Sequence, residues 1–174
     1  MCSVLTHPAV PVALSVWFPG GTVSSRLLFA GAVCSAIPDL DVVGFSLGIR
    51  YDNMLGHRGF THSIVFAIVL GAWVTLAVFH DSESSYGLTF IFLFLSTLSH
   101  SLLDMLTNGG LGIAWFAPFS NERFFFPWRP IEVSPLGLGF FSEWGIRVLV
   151  SEFRWMWLPA TVVFVTGIVL RRFG

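Results

Sequence analysis

The chain has 174 residues, of which 55% are hydrophobic and 16% aromatic, with only 11% charged and a formal net charge of −1. Soluble domains carry about 25% charged residues, so this composition excludes an ordinary soluble core and points to a chain embedded in lipid. All nine basic residues are arginine, and a near-neutral chain without a basic patch offers no footprint for nucleic acid.

In chain order, the N-terminal stretch lacks the basic region and cleavage signature of a leader, its first positive charge being Arg26, and it reads as mature sequence. Two cysteines, Cys2 and Cys34, are too few for a disulfide framework, and Cys34 within an apolar run reads as a small buried hydrophobe. Apolar residues 8–18 and 27–37 are split by Pro19-Gly20-Gly21 and Arg26. They predict a short or partly re-entrant helix over 23–37 that ends at Pro38. Residues 44–59 are polar and glycine-bearing, as suits a link outside the hydrocarbon. A spanning helix needs about 20 mostly apolar residues. Residues 63–79, without a charge, and 87–105, apolar until His100 and Asp104, both meet that requirement. The polar turn 80–86, with His80, Asp81 and Glu83, joins them as antiparallel neighbours and is assigned no role in chemistry. Residues 107–152 hold the segment PFSNERFFFPWRPIEVSP, whose prolines, charges and Phe/Trp run suit a loop at headgroup depth. A last, short span over 155–170 lies between Arg154 and Arg171-Arg172, placed as snorkelling anchors, with Pro159 near its start. The expected fold class is an all-α, polytopic integral membrane helical bundle of about three to four transmembrane helices with one long structured interfacial loop, a single domain over 1–174.

Ionisable groups at membrane depth are costly and mark function. Four of the five histidines, together with three aspartates, form local groups: His7; Asp39 and Asp41 after Pro38; His57 and His62 in HRGFTHS; and His100 with Asp104. His100 and Asp104, four apart on a helix, share one face and can either hydrogen-bond or meet one cation. His57 fits a loop and His62 the first turn of the following helix, which Thr61 or Ser63 can cap. Asp39 and Asp41 at a helix C-terminus are disfavoured by the helix dipole, a cost that a cation offsets, and one of them can serve as a general base. Arg58 beside a metal can bind an anionic oxygen, and Arg123 or Arg129 can clamp a phosphate or anchor headgroups. The helices over 63–79 and 87–105 begin and end at these groups, which therefore converge on one side of the membrane. Imidazole and carboxylate donors suit a divalent first-row ion, zinc ahead of manganese, and a two-metal site suits phosphoester hydrolysis.

The motifs PDLD (38–41), HRGFTHS (57–63) and SHSLLDMLTNGG (99–110) together resemble those of the YdjM-like family of membrane-bound metal-dependent hydrolases, over roughly residues 5–135. That family is in turn similar to zinc-dependent phospholipase C and single-strand nucleases. The resemblance implies His7, Asp39, His57, His100 and Asp104 as metal ligands, and places Asp41, Arg58 and His62 beside them as catalytic groups. No histidine follows His100, so one or two ions are implied rather than three. It further implies a bacterial inner or cell membrane, membrane lipids as surroundings and an amphiphilic, lipid-like substrate.

Two classes of function compete: a hydrolase whose metal-activated water attacks a phosphoester or other ester, and a non-enzymatic metal-binding membrane protein or transporter. Transporters place polar groups near the midplane of broken helices, whereas these groups fall at helix ends. Counting Arg50, Arg58, Arg123, Arg129, Arg147 and Arg154 on the site side against Arg171 and Arg172 predicts a site that faces the cytoplasm.

Overall fold

A computed structural model describes residues 1–81, 85–135 and 137–173 of the chain. Glu83 and most of the turn after His80 lie outside the described residues. The fold is all-helical, with α1 (Ala9–Ser15), α2 (Ser25–Ala36), α3 (Val43–Ser46), α4 (Ile64–Val78), α5 (Tyr86–Met105), α6 (Glu143–Glu152) and α7 (Leu158–Phe173). Among the described residues no strand forms, and only two isolated backbone bridges occur, Thr107 with Ile131 and Ile113 with Phe124. Three continuous helical paths are long and apolar enough to cross a membrane: Ser25–Ser46, Tyr86–Met105 and Glu143–Phe173, with the shorter apolar Ile64–Val78 beside them. The chain is a multi-pass integral membrane protein.

The direction of each helix follows from a few contacts. The Arg26 guanidinium donates to the Val78 carbonyl at 2.7 Å, which sets the start of α2 beside the end of α4. Trp17 Nε1 donates to the Val163 carbonyl at 3.2 Å, pairing the end of α1 with the middle of α7. Helices α1, α4 and α7 therefore leave one end of the bundle, and α2 and α5 return to it. The ends of α2 and α5 and the starts of α1 and α4 meet there.

Local sequence explains each boundary. Ser24 caps α2 by accepting from the Leu27 N–H, and Ser63 caps α4 by accepting from the Phe66 N–H. Pro38 does not end the helical path as its sequence predicts. It sits in the first turn of a 3-10 segment, Ile37–Val42, where its missing N–H costs nothing, and the path runs on into α3. This tighter turn carries Asp39 and Asp41. The interfacial loop is likewise shorter than expected, because residues 143–152 are helical. Buried Gly145, Val148 and Glu152 recur at helical spacing there, but charges interleaved with apolar residues disguised that period. A π-helical turn, Phe153–Trp157, joins α6 to α7 just before Pro159, which cannot continue the hydrogen-bond ladder.

The apolar core is built from Phe18, Leu27, Cys34, Val74, Phe79, Phe92 and Leu93, where α2, α4 and α5 pack together. Gly31 lets α2 approach α5, since a Cβ there would lie 2.5 Å from the Phe92 ring. Helix α7 packs mainly on α1 and turns Val162, Val165, Val169 and Leu170 outward, an apolar face suited to lipid. The residues from Thr107 to Pro135 fold back over the end of α5, with Ile113, Ala114, Ala117 and Ile131 fully buried. Arg58 and Arg123 lie inside this cap rather than at the membrane surface, and Arg26 joins Arg171 and Arg172 at the far end. Exposed arginines then divide four to three between the site end (Arg50, Arg129, Arg147, Arg154) and the far end.

Replacing Gly31 with Val should overpack the α2–α5 contact and destabilise the protein by about 1–3 kcal/mol. The measurement is the apparent melting temperature of the detergent-solubilised protein, which should fall relative to wild type.

Candidate metal centre

Five buried side chains from four parts of the chain meet where the helices converge: His7 before α1, Asp39 in the 3-10 turn, His62 before α4, and His100 and Asp104 on α5. Donor atoms of Asp39, His62, His100 and Asp104 all lie within 4.8 Å of one another. His62 Nε2 and His100 Nε2 are 3.0 Å apart, and Asp39 Oδ1 is 3.4 Å from the latter and 3.7 Å from the former. His7 Nε2 lies 3.8 Å from Asp39 Oδ2 and 4.0 Å from Asp104 Oδ1, and Asp104 Oδ2 is 3.9 Å from His62 Nε2. Around a tetrahedral zinc with ligands at about 2.0–2.2 Å, neighbouring ligand atoms stand roughly 3.3–3.6 Å apart. The observed separations bracket that spacing.

Hydrogen-bond accounting separates this cluster from a set of ordinary buried polar contacts. Both nitrogens of His7 and both oxygens of Asp39 are buried without a hydrogen-bond partner among the described residues. Leaving such groups unsatisfied costs about 1–3 kcal/mol each, more for a charged one. An ion held by these atoms would remove the cost, so the donor set fits a divalent cation.

The groups behind the donors aim them. His100 Nδ1–H donates to the Ser35 carbonyl at 2.7 Å, which turns a bare Nε2 toward the cluster. Asp41 likewise orients His62, its Oδ2 lying 3.1 Å from the His62 Nδ1. Such outer partners fix the tautomer and orientation of metal-ligating histidines. Asp41 also accepts from the Thr61 hydroxyl at 2.6 Å and from the Arg58 backbone N–H at 3.1 Å, and its Oδ1 is 2.6 Å from His57 Nδ1.

His62 points into the four-residue group, whereas His57 falls in a neighbouring group with Asp41 and His62. His7 stacks on His100 at 3.7 Å between ring centres. Burial pulls the pKa of His7 down to about 3, which leaves it a neutral imidazole with a lone pair to offer, and burial lowers His57 as well. Burial also opposes charge on His62, but the carboxylates of Asp39 and Asp41 beside it prevail and raise its pKa to about 9.

Arg58 is not free to bind an anion. It is fully buried, and four of its N–H groups are used internally: Nε on Asp104 at 3.0 Å, Nη1 on the Gly109 and Leu111 carbonyls, and Nη2 on Thr107. Its backbone sits at φ 62°, a conformation costly for a residue with a side chain. The adjoining Gly59 is required sterically, because a Cβ there would lie 2.1 Å from the Met54 carbonyl oxygen. Arg123 is equally committed, donating to the carbonyls of Tyr51, Asn53, His57 and Arg58 and so holding this loop in shape. Arg129 is exposed and stacks over Phe125. His80 pairs with Asp81 on the surface at the opposite end, apart from the cluster.

Sequence reasoning missed several members of the site's surroundings. Cys2 donates its backbone N–H to Asp104 Oδ1 at 2.7 Å, and the buried Glu152 accepts from Ser3 and Thr6.

Fold and site together define a class: a helical, multi-pass membrane protein with a buried His/Asp cluster able to hold a metal ion. The chain belongs to the family described as YdjM inner membrane protein, whose family model matches residues 1–173. It is 42% identical over 164 residues to inner membrane protein YbcI of Escherichia coli (strain K12), covering 94% of this chain and 95% of that protein. It is 34% identical over 90 residues to inner membrane protein YdjM of the same organism, a match covering 45% of this chain and 43% of that one. The YdjM protein of Shigella flexneri matches to the same extent. No solved structure matches.

Replacing Arg58 with Met removes the partner of a fully buried Asp104 and should destabilise the protein by about 3–5 kcal/mol, the usual cost of breaking a buried ion pair. Thermal denaturation in detergent should show a correspondingly lower midpoint than for the exposed Arg129→Met.

Proposed function

We propose that this membrane protein is a metal-dependent hydrolase, in which one or two divalent ions promote attack of water on a phosphoester of a lipid-like substrate. His62, His100, Asp39 and Asp104 would hold the ion, with His7 as a further ligand; zinc suits these donors best and manganese is the alternative. The observation that carries this reading is the unpartnered, buried state of the His7 and Asp39 donor atoms within that cluster. When bound, a divalent ion supplies Lewis acidity and makes water acidic enough to ionise near neutral pH.

The chain's own residues supply the remainder. Asp41 orients His62 and lies 2.6 Å from His57 Nδ1, making Asp41 and His57 the pair placed to take a proton at the edge of the cluster. Arg58 holds Asp104 in place, with its Nε 3.0 Å from Oδ2, rather than touching substrate. Exposed Leu5, Leu40, Val43, Leu47 and Leu55 surround this end of the bundle, which favours a substrate that partitions into the membrane. The relatives YbcI and YdjM are named as inner membrane proteins, and we assign this chain to the same location, with membrane lipids as its surroundings.

A specific observation favours a second reading. Every candidate ligand is buried, and closed sites are the habit of structural rather than catalytic metals. On that reading the protein binds a metal without turnover.

Metal content by mass spectrometry on detergent-purified protein tests the first step. Near-stoichiometric zinc or manganese is expected in wild type and its loss in His62→Ala/His100→Ala; no metal in wild type after reconstitution would remove the reading. Turnover of phospholipids or generic phosphoesters, abolished in the same variant, then separates the enzyme from the closed structural site. Because an ion must displace the His62 proton, zinc affinity should rise as pH increases toward about 9 and fall on acidification. A chelator competition measured across pH reads this directly, and a flat profile would exclude His62 as a ligand.

A further inference from the structure

Three members of the cluster have a partner behind the donor atom. Asp41 aims His62, the Ser35 carbonyl aims His100, and Arg58 with the Cys2 N–H holds Asp104. His7 has no such partner at either ring nitrogen among the described residues. Histidine ligands are ordinarily oriented by a hydrogen bond from the second nitrogen, so the placement of His7 must come from its backbone and its stacking on His100.

The backbone leading to His7 is tied to one side chain. Glu152, the last residue of α6, is fully buried and accepts from the Ser3 backbone N–H, from Ser3 Oγ at 2.6 Å and from Thr6 Oγ1 at 2.7 Å. Trp157, at the other end of the π turn, donates Nε1 to the same Thr6 hydroxyl at 3.1 Å. Thr6 is thus gripped from both ends of that turn, immediately before His7. No ion pair reaches Glu152 among the described residues, and an apolar side chain would pack there at far lower desolvation cost. A helix that widens into a π turn beside a buried acid is a pattern frequent at functional sites.

We propose that Glu152 is the positioning residue of the metal centre: it holds residues 3–6 so that His7 is set over His100 and beside Asp39 and Asp104. This inference rests on the metal reading of the His/Asp cluster. It makes α6 and α7 part of the site although neither contributes a ligand.

The test uses the full chain in detergent, with zinc affinity measured by competition against a chromogenic chelator. Glu152→Gln and His7→Ala should each weaken zinc binding about 10–100-fold, the usual effect of losing an orienting group. The double variant should bind no more weakly than His7→Ala, because both changes remove the same contribution. Wild-type affinity in Glu152→Gln, or losses that multiply in the double variant, would overturn the proposal. Thr6→Val removes one donor only, and carries the same expectation if Glu152→Gln does not fold.

A second readout needs no metal. Cys2 is fully buried, and in a Cys34→Ala background its thiol should react with maleimide faster once Glu152→Gln frees the segment. Unchanged labelling would sink the tether whatever the zinc data show. A wild type that binds no zinc overturns the metal reading and the positioning role with it. It is distinguishable from failure of the tether alone, in which wild type binds zinc and Glu152→Gln binds it equally well.

Discussion

Charge that cannot reach water governs this structure. Arg58 and Asp104 are both fully buried, 3.0 Å apart, at the end of the bundle where the cap closes over it. The Arg58 guanidinium ties its own loop to the stretch from the end of α5 to Leu111, since it donates to Asp104, to Thr107 and to the carbonyls of Gly109 and Leu111. The cap over the cluster is therefore folded around this one cation. The strained backbone at Arg58 is the local cost of delivering it, and Gly59 is the residue that lets the loop turn so tightly. By fixing one Asp104 oxygen, Arg58 also sets where the remaining donors can stand.

Most of the site was legible in the sequence, and for a definite reason. His100 and Asp104 lie one helical turn apart, and an antiparallel helix pair returns them to the level of His62 whatever the details of packing. The four short motifs therefore had to converge. The division of labour between His57 and His62 was not legible. A spacing of five across a loop does not say which ring faces inward, and the answer depended on Asp41 accepting from the Arg58 backbone N–H in a conformation that residue rarely adopts. Arg58 looked like an anion clamp because sequence shows a charge without its partners. The acceptors that occupy it are mostly main-chain carbonyls, which no motif records.

The fold was legible where apolar length decides, as in α4 and α5, and misread where two signals compete. Pro38 reads as a stop, yet at the first turn of a 3-10 segment it interrupts nothing. In α6, glycine, charge and aromatic residues hid a helical period that burial of Gly145, Val148 and Glu152 makes plain. Both misreadings concern residues that position the site: the first carries Asp39 and Asp41, and the second carries Glu152.

The hydrogen bond from Ser3 to Glu152 joins residues 149 positions apart. During synthesis the first partner therefore leaves the ribosome well before the second. For most of that interval the N-terminal segment has nothing to dock on, and His7 cannot be held in its final place. The tether can close only once α6 has been made, and α2, α4 and α5 all precede it in the chain. A chain halted before α6 carries the donors without the tether, so a fully arranged centre reports that α6 has arrived.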